Sequence, residues 1–125
     1  MVAMYLSVAL GGAFGAMARF AMTRFINHSW GHTFPLATFS INVLGSFLMG
    51  MAFVLIAERV PAFESLRPVL MVGFLGAFTT FSTFSLEIVA LINQQAWLTA
   101  ASYLLLSCVV GIAALAAGIA IARAF

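Results

Sequence analysis

The chain has no lysine, three acidic residues, two histidines and a single cysteine among its 125 residues, so only 6% of its side chains carry charge. Each shortage excludes something. Cys108 alone rules out an intrachain disulfide and a cysteine metal cluster, and it reads as a small apolar packing residue. Five scattered arginines, despite a net charge of +2 and a pI near 9.3, are too few to follow a nucleic acid backbone. His28 and His32 share a polar stretch with no carboxylate or cysteine beside them, which argues against a metal site. No histidine, acid and nucleophile could meet at one depth, so an enzyme is not expected.

What remains is hydrophobic: 65% of residues are apolar and the mean hydropathy is +1.19, far outside the usage of soluble domains. Each uncharged stretch is near the roughly 20 residues that a helix needs to cross about 30 Å of hydrocarbon. Alternating barrel strands are absent. The predicted fold is an all-α membrane protein, a single transmembrane domain with spans at about 2–25, 35–57, 67–92 and 97–122. The connections run from Asn27 to His32, from Glu58 to Ser65 and through Asn93, Gln94 and Gln95. The first apolar stretch is expected to stay as a span, with no cleavable leader and no room for a soluble domain. With four spans, Arg59, Arg67 and Arg123 share one side, while Arg24 and Arg19 belong to the other. So weak a bias makes insertion in both orientations plausible. Trp30 and Trp97 fall at the two turns of the Arg24 side, where indoles suit the interface.

Polar residues inside spans need partners. Arg19 shares a face with Gly11, Gly12, Gly15 and Ala18, small residues that let another helix approach closely. It lies beyond about 18 residues of helix, roughly 27 Å, so it either snorkels to the far headgroups or lines an anion path. Asn42 falls on one side with Gly45, Ser46, Met49, Gly50 and Phe53, and reads either as interhelical glue or as a carboxamide donor facing a pore. In the fourth span Tyr103, Ser107, Gly111, Ala114 and Gly118 form a stripe. Ser107 taken singly bonds its own backbone, but with Tyr103 one turn away the pair reads as a polar track. Glu87 is either an interfacial carboxylate, free or paired with an arginine, or a pathway residue.

The densest signal is the run from Gly76 to Ser85, where Thr79, Thr80, Ser82, Thr83 and Ser85 stand among Phe78, Phe81 and Phe84. These hydroxyls point all round a helix, so neighbours or a cavity must receive some of them. Two readings fit. Hydroxyl and β-branched residues compete for helical bonds, which allows a local break after Gly76 whose carbonyls are buried or given to an ion. Alternatively the helix is intact and the hydroxyls bond the preceding turn. Phe81 and Phe84, one turn apart, present rings with positive edges that can hold a small anion beside hydroxyl donors.

Three blocks carry a family resemblance: Gly11-Gly12 with Gly15 and Arg19, Asn42-Val43-Leu44-Gly45-Ser46-Phe47, and Gly73 with Gly76 followed by Thr79-Thr80-Phe81-Ser82-Thr83-Phe84-Ser85. In that order, in a four-span chain of this length, they resemble the Fluc (CrcB) fluoride channels over essentially the entire sequence. The resemblance implies an antiparallel, dual-topology homodimer in the cell inner membrane, its third helix broken near the middle, with two pathways along the subunit interfaces. It implies passive, fluoride-selective export that confers fluoride resistance, with fluoride, a second copy and the bilayer as partners and no nucleic acid. Phe81 and Phe84 would give ring-edge contacts, one from each subunit in a given pathway. Asn42 would donate to the anion, and Tyr103, Ser107, Ser82 and Thr83 would form the hydroxyl track. Arg19 would sit near a vestibule and Glu87 near the pathway. Backbone carbonyls of Gly76 and Thr79 from both subunits would hold a central structural Na⁺. Ala77 stands where glycine is frequent, and Gly111 where some members continue the track with serine. The rival readings are a structural subunit of a larger complex and a proton-coupled exporter of the small multidrug class. That exporter needs a titratable carboxylate in mid-membrane, for which Glu87, near a span end, is the one candidate.

Overall fold

The computed structural model describes residues 1–125 and is entirely helical, with four stretches long and apolar enough to cross a membrane: Val2–Ser29, Leu36–Arg59, Pro68–Asn93 and Trp97–Ala124. Helix α1 (Val2–Ser29) runs on through Asn27 and His28, which the sequence assigns to the connection. Polarity alone does not end a helix. It stops where Trp30 turns extended, just before Gly31, and the Trp30 indole N–H donates to the Phe34 carbonyl at 3.0 Å to close the loop.

Pro35 then precedes α2 (Leu36–Phe53), at a position where a missing N–H leaves no helical bond unmade. The winding widens to a π-helix over Val54–Arg59 and tightens to a 3-10 helix over Pro61–Leu66. Pro68 opens the third stretch, again π-wound through Leu75, followed by one turn, α3 (Gly76–Phe78). Thr79 (φ −78°, ψ 159°) and Thr80 (φ −151°, ψ 123°) are extended, and α4 (Phe81–Asn93) follows. Gln95, the one non-glycine residue in the left-handed region (φ 58°), tightens the short turn into α5 (Trp97–Ala124).

Helices α2 and α5 pack backbone to backbone. A Cβ built on Gly50 would overlap the Leu115 carbonyl and one on Gly118 the Phe47 carbonyl, so glycine at both places permits the contact. Phe84, Leu91, Ala100 and Tyr103 form a buried cluster where α4 meets α5, with Phe34 and Ile88 packed against it. Leu10, Phe14 and Phe20 on α1 and Leu98, Leu105, Val109 and Ile112 on α5 stand exposed, which hydrocarbon or a neighbouring subunit accepts and water does not. At the far end Arg123 holds Glu58 through Nε and a terminal nitrogen at 3.0 and 2.5 Å, and Arg59 donates to the Arg123 carbonyl. The end of α5 is thereby fastened to the end of the second stretch, with a cation on its orphan carbonyl.

Candidate functional site

The extended pair Thr79–Thr80 exposes backbone groups that a continuous helix would satisfy. Asn42, on α2, answers both of those on Thr80: its Nδ2 donates to the Thr80 carbonyl at 2.9 Å and its Oδ1 accepts from the Thr80 N–H at 2.8 Å. A side-chain amide here does what a neighbouring strand would do. The diversion has a second effect. The Thr80 N–H is the group that would bond the Gly76 carbonyl in an unbroken helix, and the Thr83 N–H, which would bond that of Thr79, goes instead to the Thr80 hydroxyl at 3.1 Å. The carbonyls of Gly76 and Thr79 therefore lose their usual donors.

Thr80 is the N-cap of α4, its hydroxyl accepting from Thr83 N–H, donating to the Thr83 hydroxyl at 3.1 Å and lying 3.3 Å from that of Ser82. Thr79 and Ser85 behave as the intact-helix reading describes, donating to the carbonyls of Leu75 and Phe81, each at 2.9 Å. The five hydroxyls thus divide between two roles. The start of α4, with its partial positive charge, opens beside this cluster.

Phe81 and Phe84 have centroids 5.7 Å apart but opposite surroundings: Phe81 is 78% exposed and Phe84 only 6%. The Phe84 ring meets the Tyr103 ring edge to face at 5.0 Å. Asn42, Phe81, Phe84, Ser107 and Cys108 surround a cavity of about 150 Å³. The buried Ser107 hydroxyl oxygen has no hydrogen-bond partner at all, not even its own backbone.

Glu87 is held by two hydroxyls on its two oxygens, Thr38 at 2.8 Å and the fully buried Tyr103 at 2.7 Å. It has no arginine partner, since both ion pairs in the chain lie elsewhere, at Glu58 and Glu64. Arg19 lines a cavity of about 310 Å³ with Thr38, Thr80, Thr83 and Glu87. Glu87 also floors an outer cavity of about 430 Å³ bounded by Trp30, His32, Phe34 and Gln94. Asn42, Thr80 and Phe81 line a further one of about 280 Å³ with Ser46. Shared walls at Glu87, at Thr80 and at Asn42 with Phe81 string these spaces together. Tyr103 borders none of them and reaches the string through Glu87, while Ser82 touches it through Thr80.

Comparison with known proteins bears on the chain as a whole. The profile of the family described as "CrcB-like protein, Camphor Resistance (CrcB)" matches residues 6–119. The chain belongs to the CrcB family. It is similar to proteins named "Fluoride-specific ion channel FluC": 46% identical to that of Hahella chejuensis, over 93% of this chain and 91% of the relative. For that of Magnetococcus marinus the identity is 44%, over 93% and 94%, and for that of Saccharophagus degradans 45%, over 93% and 86%.

Two residues of this CrcB protein carry geometry that side-chain chemistry alone does not announce. Thr38 lies one helical turn before Asn42 on the same face of α2, a spacing that marks it as a neighbour of the site. Thr80 stands in the hydroxyl run, yet its role as cap and as Asn42's partner is a property of its backbone. Cys108, which reads as a packing residue, is exposed on the wall of the Phe81 and Phe84 cavity.

Proposed function

We propose that this CrcB family member is a passive, fluoride-selective channel working as an antiparallel homodimer, with its third span broken at Thr79–Thr80. The observation that carries the reading is the convergence of Phe81, Phe84, Asn42 and the partnerless Ser107 hydroxyl on one small cavity. A buried hydroxyl without a partner is costly, so it is best explained by a guest that accepts its hydrogen bond. Fluoride is small and strongly hydrated, and a conducting path must replace its water with donors that still let it go. A hydroxyl, the remaining Asn42 N–H and ring edges meet that need without a full positive charge.

The exposure of Phe81 suits a ring offered to a second subunit, while the buried Phe84 serves its own. Arg19, Thr83 and Ser82 then border the approach from one side, and Glu87 with Tyr103 and Thr38 fixes the outer wall. Relatives bearing the fluoride-channel name over nearly the whole length support the choice of ion. In acid surroundings HF crosses the bilayer neutral and dissociates inside, and the membrane potential drives the trapped anion out.

The carbonyls of Gly76 and Thr79, whose helical donors are diverted, fit a monovalent cation as hard oxygen ligands. Na⁺ bound there between two copies would neutralise the converging carbonyl dipoles. Asn42 and Thr80 hold that backbone in place.

Purified protein in liposomes loaded with fluoride, given a potassium shunt, is the test. Fluoride release is expected to be insensitive to a proton gradient, with chloride barely leaking. Release that requires the gradient would favour the exporter, and no release would favour a structural subunit.

A further inference from the structure

Gly11 and Gly15 are the two buried residues of α1, and both meet the π-wound segment Pro68–Leu75. A Cβ on Gly11 would overlap the Val69 carbonyl, and one on Gly15 the Phe74 carbonyl. From the other side a Cβ on Gly73 would lie 2.7 Å from the Val8 carbonyl. Backbone touches backbone at all three.

The spacings do not match unless the segment is π-wound. The glycines are four apart, the repeat of an α-helix, whereas Val69 and Phe74 are five apart. In an α-helix five residues turn through about 500°, leaving Phe74 roughly 140° round the axis from Val69, so both could not face α1. The π-helix, with its bond from i to i+5, returns to nearly the same face after that step. At the end of the segment the Gly76 N–H is shared between the Met71 carbonyl, in such a bond, and the Gly73 carbonyl.

We propose that Gly11 and Gly15 are positioning residues for the ion path: by admitting Val69 and Phe74 against α1 they hold Pro68–Leu75 in π winding, and that winding sets where Gly76 and Thr80 lie. The inference rests on the channel reading. Rewinding the segment to α would rotate everything beyond Leu75 about its axis and carry Thr80 away from Asn42. The same α1 bears Arg19, which shares a cavity with Thr80, so one helix sets both walls of that space.

The test compares Gly11→Ala and Gly15→Ala with Gly12→Ala, whose added Cβ would meet only the Gly73 carbonyl at 4.0 Å, an ordinary contact. The first two are expected to cut fluoride flux in liposomes roughly tenfold or more through overpacking, to lower the fluoride-to-chloride release ratio, and to speed hydrogen exchange at the Thr80 amide. Gly12→Ala should leave all three unchanged. Unaltered selectivity and Thr80 exchange in both test variants would overturn the proposal. If those variants do not fold, solid-state NMR of the wild type, with the Val69 carbonyl and single amide nitrogens isotopically labelled, decides. Strong coupling to the Phe74 nitrogen is expected, and strong coupling to Gly73 instead would overturn it. Wild-type liposomes that release no fluoride would count against the channel reading alone, because the exchange and NMR measurements do not depend on flux.

Discussion

Asn42 and Thr80 exchange two hydrogen bonds, side chain to backbone in both directions, at 2.9 and 2.8 Å. The carboxamide therefore uses its acceptor and one of its two N–H donors on the third span, leaving one N–H for a guest.

Asn42→Asp keeps an acceptor for the Thr80 N–H but sets a carboxylate against the Thr80 carbonyl and on the wall of the proposed anion cavity. Losing the donor leaves a part-buried carbonyl unsatisfied, at about 1–3 kcal/mol. Fluoride release in liposomes is expected to fall by roughly a hundredfold at the upper end of that range, with faster amide exchange at Thr80. Wild-type flux would remove Asn42 from both roles.

Phe81→Ile and Phe84→Ile are expected to separate in stability while agreeing in function. Phe84 is buried against Tyr103, so reshaping it costs about 1 kcal/mol or more in thermal unfolding of the detergent-solubilised protein. Phe81 is exposed within its own subunit, so the loss in unfolding of the separated subunit should be smaller. Both should lose fluoride flux, and full flux in both would eliminate the ring-edge contacts.

Tyr103→Phe removes the hydroxyl that donates to Glu87 at 2.7 Å and leaves Thr38 as the carboxylate's one donor. A drop of about 1–3 kcal/mol in unfolding free energy is expected. Glu87→Gln should keep fluoride flux independent of a proton gradient. A gradient dependence in the wild type that Glu87→Gln abolishes would instead identify this carboxylate as a proton carrier.

Gly118→Ala and Gly111→Ala, on one helical stripe, test the contact of α2 with α5. A methyl at Gly118 strikes the Phe47 backbone, whereas one at Gly111 comes no closer than 3.8 Å to the Ser46 hydroxyl. Thermal melting should fall for the first by an amount corresponding to about 1–3 kcal/mol and hold for the second.

The four apolar stretches were legible in sequence because a bilayer imposes length and apolarity residue by residue. Asn42 and Ser107 could be singled out because each is a polar residue inside an apolar span, and the structure gathers both on one cavity with the ring pair Phe81 and Phe84. The rest lay in the backbone. Nothing in the letters says that Thr80 gives its N–H and carbonyl to a residue 38 positions earlier, or that Pro68–Leu75 is π-wound. The Thr38 bond to Glu87, 49 positions apart, depends on helix packing that no local pattern encodes. Arg123 looked like a topological charge, yet Glu58 neutralises it across the helix ends.

The extended pair at Thr79 and Thr80 contains neither proline nor glycine, and the N–H and carbonyl of Thr80 are satisfied from another helix. One genetic determinant of that conformation thus lies outside the codons it shapes. A saturation mutagenesis screen confined to the third span would overlook it, and a lineage could gain or discard the feature through one nucleotide change in the codon for position 42.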